Sequence, residues 1–241
     1  MKIQLTIILI SLMFYSFGQT TGYEKTKTLY DQGKFKEAIE IGTTEIKTLK
    51  ESDPDYMKII RLRSDCFIEL SNFKAAVEDF NTLIKIDSKN APLYVAASYC
   101  YWELGDNANC FSYLEKAYKI NPKDAGTLSN MAYYFGQGGK YDESIKYATL
   151  GLEQNPPNTL KGALLNNRGY AYINLKQYDT ALKDINQSIS FHPDNSYAYC
   201  YRALANIGLK KMDTVCKDLE KAKQLGGVTL TRELIIKHCG K

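Results

Sequence analysis

The sequence predicts an all-α protein, a right-handed α-solenoid of about six helical hairpins ended by a C-terminal capping helix. The first observation behind this is a short phrase that returns six times. Its copies are Gly33-Lys-Phe35-Lys-Glu-Ala38, Ser71-Asn-Phe73-Lys-Ala-Ala76, Asp106-Asn107-Ala-Asn-Cys110, Gly139-Lys-Tyr141-Asp-Glu-Ser144, Lys176-Gln-Tyr178-Asp-Thr-Ala181 and Lys210-Lys-Met212-Asp-Thr-Val215. Marker residues 35, 73, 107, 141, 178 and 212 step by 38, 34, 34, 37 and 34. A period near 34 built from helical pairs is the signature of a stacked array, since one pair cannot bury its apolar face alone. The second observation is apolar spacing at helical period on both sides of each phrase. The third is a set of regularly placed stops.

The third unit shows the pattern clearly. Leu93, Tyr94, Ala97, Cys100 and Tyr101 recur at helical spacing until Leu104-Gly-Asp breaks them. A second helix carries Phe111, Leu114, Ala117 and Tyr118, and Asn121-Pro122 ends it, because proline cannot continue the backbone ladder. Asn155-Pro156 and His192-Pro193 close the fourth and fifth units in the same way, and Ile86-Asp87-Ser88 stands at the matching point of the second. Ala38, Ala76, Cys110, Ser144 and Ala181 each fall three residues after their marker. Small side chains there let two helices approach to about 8–10 Å. After residue 227, Leu230, Leu234 and Ile235 form one apolar face, which predicts a short helix over the end of the array. The expected organisation is a leader at 1–18, an array at 19–227 with degenerate first and last units, and a capping helix and tail at 228–241.

The leader is read from a separate signal. Lys2 precedes an apolar stretch from Ile3 to Phe17, interrupted by Gln4, Thr6, Ser11 and Ser16, and Ser16-Phe17-Gly18 offers the small residues a signal peptidase reads. The stretch is shorter than the ~20 residues a membrane span needs. Cleavage before Gln19 and an exported chain, periplasmic or secreted and without a membrane span, are the expectation. The chain of 241 residues carries a net charge of +4, one lower once Lys2 is lost. So small a surplus, with Lys and Arg scattered among acids, argues against a nucleic-acid partner and places the basic residues on solvated helix faces.

At this point the units resemble the tetratricopeptide repeat family, over roughly residues 21–227. The fifth unit carries the resemblance best, with Gly169, Tyr172, Tyr178, Ala181 and Pro193 where the family has small, aromatic and proline residues. The first is weaker, and the sixth departs with Met212 and Val215 in place of an aromatic and alanine. The resemblance implies a non-catalytic scaffold whose first helices line a concave groove for a peptide or protein surface. Tyr99, Tyr133 and Tyr170 stand eight residues before their markers in three successive units, and Trp102 follows Tyr99 by one turn. These four are the candidate partner-binding residues, because aromatic rings with polar tips combine contact area with hydrogen bonding. The alternative, that the tyrosines only pack between neighbouring first helices, stays open. Chaperone-tail-binding members carry a lysine and an asparagine four residues on. Here those places hold Arg61/Asp65, Val95/Tyr99, Ser129/Tyr133 and Asn166/Tyr170, so a C-terminal carboxylate is not the expected ligand.

Nothing in the sequence converges toward catalysis. Two histidines, His192 and His238, are present, and His192 reads as an exposed turn residue before a stop proline. No glycine-rich phosphate loop or metal-ligand spacing appears, so neither cofactor nor metal is expected. The tail, with Cys216-Lys-Asp-Leu219 and a final Cys239, resembles endings of small exported bacterial members, which implies a Cys216–Cys239 disulfide. Cys100 and Cys110 lie on opposite arms of one hairpin and their pairing is left open, as is the alternative that all six cysteines are small core residues. The leading expectation is an envelope adaptor. The alternative is a structural subunit of a larger envelope assembly, using its convex face or its ends.

Overall fold

The computed structural model describes residues 21–240, and the expected leader at 1–18 lies outside them. Among the described residues there are thirteen α-helices and no strand, so the chain is all-α. The helices form six hairpins and a final single helix. The hairpins pair α1 (Gly22–Asp31) with α2 (Phe35–Thr48), α3 (Pro54–Glu69) with α4 (Phe73–Ile86), and α5 (Ala91–Glu103) with α6 (Asn107–Ile120). They continue with α7 (Ala125–Gln137) and α8 (Tyr141–Glu153), α9 (Asn158–Asn174) and α10 (Tyr178–Phe191), and α11 (Ser196–Gly208) and α12 (Val215–Gln224). The last helix, α13, is Thr229–His238. The chain divides after Ile86 into two compact units, the first holding two hairpins and the second holding four hairpins and α13.

One turn is used six times. Gly33, Ser71, Gly105, Gly139, Lys176 and Lys210 all have positive φ, between 56° and 77°, and each stands two residues before its marker. The N–H of each donates to the carbonyl three residues back, as from Gly105 to Trp102 at 2.9 Å. The next N–H reaches five residues back, as from Asp106 to Tyr101 at 2.9 Å. This paired arrangement satisfies the last carbonyls of the first helix and reverses the chain. Three of the six positions hold glycine, which adopts left-handed backbone without a Cβ penalty; the other three do not. Four of the six first helices start on side-chain caps, and those opening at Ala91 and Asn158 do not. Asp53 accepts from the Asp55 N–H at 2.9 Å, Asp124 from the Thr127 N–H at 2.6 Å, and Asn195 from the Tyr197 N–H at 3.1 Å.

The positions three residues after the markers lie at the helix crossings. Ala38, Ala76, Cys110, Ser144, Ala181 and Val215 are all fully buried. Ser144 keeps its hydroxyl satisfied by donating to the Ala132 carbonyl at 2.7 Å. Gly169 serves the Ala181 crossing from the facing helix, since a Cβ there would stand 2.7 Å from Ile185 Cγ1. In the first unit the core is built on Ile59, Ile60, Phe80 and Leu83, each at most 1% exposed. In the second unit, Leu114, Leu128, Met131 and Leu164 fill the space between hairpins three, four and five. Each such aliphatic side chain contributes about 1.5–3 kcal/mol when fully buried.

Three hairpins also carry a charged clasp. Arg63, Arg168 and Arg202 stand ten residues before their markers, and Asp79, Asp184 and Asp218 six after. Each arginine grips its aspartate through two bonds. These are 2.9 and 2.6 Å in the second hairpin, 2.7 and 2.9 Å in the fifth, and 2.9 and 2.6 Å in the sixth. A third guanidinium N–H crosses to the preceding hairpin, to Thr43 Oγ1, Thr149 Oγ1 or Asn186 Oδ1, always eight residues after that hairpin's marker. The carboxylates are at most 9% exposed. The expectation that basic residues sit on solvated faces therefore fails at these three arginines. In the third and fourth hairpins the same two places hold Ala97 with Tyr113 and Met131 with Tyr147, so packing replaces the clasp.

Candidate partner-binding face

The four candidate aromatics fall on first helices of the second unit: Tyr99 and Trp102 on α5, Tyr133 on α7 and Tyr170 on α9. All four are half-buried. Tyr99 and Trp102 lean on the core between the third and fourth hairpins, with Trp102 5.2 Å from the Tyr134 ring. Tyr133 meets Tyr134 edge-on at 5.1 Å. Tyr170 packs against Tyr201 at 4.8 Å and faces the edge of Tyr141 at 6.5 Å. Tyr170 thus packs on the next first helix through Tyr201 and on α8 through Tyr141. Burial pushes the phenol groups of Tyr133 and Tyr170 above their ordinary value, and for Tyr133 the neighbouring Tyr197 adds to the shift. Both stay neutral hydrogen-bonding groups at physiological pH.

The structure separates the four. Tyr133 opens into a cavity of about 310 Å³ walled by α7, α9, the turn after α10, and α11, while Tyr99, Trp102 and Tyr170 do not line it. The amides of Asn130, Asn166, Asn167 and Asn195 and the rings of Tyr197 and Tyr201 supply most of the remaining wall. Asn167 is held in place, donating through Nδ2 to the Ser129 carbonyl at 3.3 Å. Asn166 is 6% exposed, yet its Oδ1 is buried without a hydrogen-bond partner. The Nδ1 of His192 is in the same state. Burying a polar atom unpaired costs about 1–3 kcal/mol.

His192 is half-buried here rather than an exposed turn residue. The cause is Gly162 on α9, where a Cβ would stand 2.7 Å from the Cβ of His192. Without one, the turn settles onto α9, and Ser188 fastens it by donating to the Gly162 carbonyl at 2.7 Å. The spacing of aromatics pointed toward this face but not toward Asn166 or His192. A glycine seven residues before the Gly169 of the crossing was the available signal for the second of these.

At the C-terminal end, Cys216 of α12 and Cys239 are joined by a disulfide, with Cα atoms 5.6 Å apart. The bond holds α13 over a small core of Cys200, Val215, Leu219, Ala222 and Leu234. Cys66, Cys100, Cys110 and Cys200 are buried thiols. Burial pushes Cys66 up to about 11 and Cys110 up to about 12, so neither is a nucleophile at neutral pH. Between α13 and the preceding turn lies a largely apolar groove of about 620 Å³ bordered by Val228, Ile235 and Ile236, with Ile236 69% exposed. Among the described residues no cluster of acids, histidines and cysteines is placed to hold a metal, and no helix is long and apolar enough to cross a membrane.

Comparison with known proteins agrees with this architecture. Residues 91–124 and 163–195 match the family model described as tetratricopeptide repeat. RNA polymerase II-associated protein 3 of Mus musculus is 32% identical over 111 residues, covering 46% of this chain and 16% of that protein. The chain therefore spans only a small part of the curated relatives it matches. Among solved structures, a tetratricopeptide repeat protein from Parabacteroides merdae superposes with a TM-score of 0.67 at 19% identity, covering 89% of this chain and 81% of that one. A chain of the APC/C hetero-tetramer Cut9-Hcn1 gives 0.74 at 16% identity, covering 97% of this chain and 45% of that one. At such identities the likeness is one of fold.

Proposed function

We propose, from the premise that this chain belongs to the tetratricopeptide repeat family, that it is a non-catalytic scaffold of the bacterial cell envelope. Its repeats support protein–protein interaction, and the proposed contact surface is the first-helix face of the second unit. There a peptide segment or a protein surface would lie across Tyr133 and Tyr170. The observation that carries this is the conjunction of half-buried tyrosine rings with buried but unsatisfied polar atoms at Asn166 and His192. Packed surfaces in general pair their buried polar groups within the protein, and these two atoms depart from that. Export is supported by the apolar leader read from residues 1–18 and by the Cys216–Cys239 bond, which persists in oxidising compartments.

The test is crosslinking capture from envelope extract by the exported chain and by its Tyr133→Ala/Tyr170→Ala variant. Capture should drop while the helical circular-dichroism signal is kept; undiminished capture by a folded variant rejects the face. A structural-subunit reading has its own observation in the exposed Ile236 and the apolar groove at the C-terminal end. If Ile236→Lys abolishes capture and the tyrosine pair is dispensable, that reading replaces the first.

A further inference from the structure

The cavity beside Tyr133 has a chemical character more specific than a sticky aromatic face. Its volume of about 310 Å³ is near the lower limit of small-molecule sites, enough for one side chain and its neighbouring backbone but not for a helix. No Lys, Arg, Asp or Glu lines it. Two enclosed polar atoms, Asn166 Oδ1 and His192 Nδ1, have no partner. Both are held by local construction: Asn166 by burial in α9 beside the anchored Asn167, and His192 by its seat over Gly162.

We infer that this cavity is a subsite for an uncharged carboxamide, the side chain of a glutamine or asparagine presented by the partner segment. The inference rests on the partner-binding reading of the first-helix face and deepens it. A carboxamide brings two N–H donors and a carbonyl acceptor. A turn of the Asn166 side chain toward the cavity brings its enclosed Oδ1 to one donor, and the remaining groups suit the His192 imidazole. Turning the Asn166 amide over merely exchanges the roles, and the same ligand group still answers it. A carboxylate brings acceptors alone to an acceptor and surrenders its hydration with no Lys or Arg in the wall. An ammonium brings donors but meets no counter-charge, in a chain already carrying +4. Tyr133 and Tyr197 then cover the apolar stem of the ligand side chain.

The test uses the full chain, isotope-labelled, titrated with the N-acetyl methylamides of glutamine, glutamate and lysine, and with N-acetylglucosamine. The glutamine probe should shift the Asn166 amide and His192 imidazole resonances and bind about tenfold more tightly than its charged counterparts. Asn166→Leu should remove that preference, with His192→Phe as the second variant should the first not fold. Equal binding of the three amino-acid probes, or shifts confined to other residues, overturns the proposal. Tighter binding of the sugar overturns it in favour of a glycan subsite. Partner capture reads the broader proposal separately. Capture that persists without a glutamine preference sinks the subsite alone, and a glutamine preference in a chain that captures nothing sinks the scaffold reading alone.

Discussion

The fifth hairpin holds Arg168 against Asp184 in the two places where the fourth holds Met131 and Tyr147, so the protein supplies its own control for what the ionic clasp contributes. Removing one partner strands the other. Breaking a buried pair costs about 3–5 kcal/mol, because an uncompensated charge remains. The Arg168 side chain is 21% exposed and that of Asp184 9%, so returning water offsets part of this. About 2–4 kcal/mol is the expected loss for Asp184→Ala. The double change Arg168→Met/Asp184→Tyr copies the fourth hairpin, and by the same reasoning should fall within about 1 kcal/mol of the parent or above it. The new ring would meet Tyr172 and Leu152, which stand in register where Tyr147 finds Phe135 and Tyr118. The assay is urea unfolding followed by circular dichroism, with hydrogen exchange to resolve individual hairpins, since repeat arrays need not unfold in one step. A single variant losing less than about 0.5 kcal/mol would show the clasp idle. A double variant as damaged as the single would show that the ion pair itself, rather than relief from a stranded charge, holds the hairpin.

Three further outcomes are expected. Replacing Cys216 and Cys239 together by alanine opens a loop with a sequence separation of 23 and should cost about 3 kcal/mol, read as exchange of the α13 amides before those of α9; a cap equally protected without the bond refutes this. Lys176→Gly, and independently Lys210→Gly, removes a side chain from left-handed backbone at φ near 60° and should raise stability by about 0.5–1 kcal/mol, measured as an increased urea midpoint. The buried thiols at Cys66 and Cys110, held up to about 11 and about 12 against an ordinary value near 9, bind protons more tightly in the folded chain than in the unfolded one. Their contribution is fully present below pH 9 and lost as pH rises through 11 to 12, so a melting temperature that stays flat from pH 9 to 11.5 counts against their enclosure.

Hairpin number, turn positions and crossing residues were legible because each follows from a local rule that repeats: a small residue three after the marker and a chain reversal two before it. Proline stops at 122, 156 and 193 added the ends of second helices. The Arg–Asp clasp was hidden for a physical reason. A charged residue at helical spacing looks the same in sequence whether water or an opposite charge faces it, and the two members lie on different helices. Comparing units at ten before and six after the marker would have exposed it. Periodicity also selects a face without saying which neighbour covers it. That is why Tyr99, Trp102, Tyr133 and Tyr170 read alike, although only Tyr133 borders the cavity.

The third guanidinium bond has a mechanical consequence. Arg168 latches the fifth hairpin to Thr149 of the fourth, and Arg202 latches the sixth to Asn186 of the fifth, whereas Met131 offers the third hairpin no such latch. Under tension the second unit should therefore unravel unevenly. Its leading pair of helices peels away as a soft segment, while the last three pairs yield together at higher load, keeping the tyrosine-rimmed recess intact on a chain already partly drawn out.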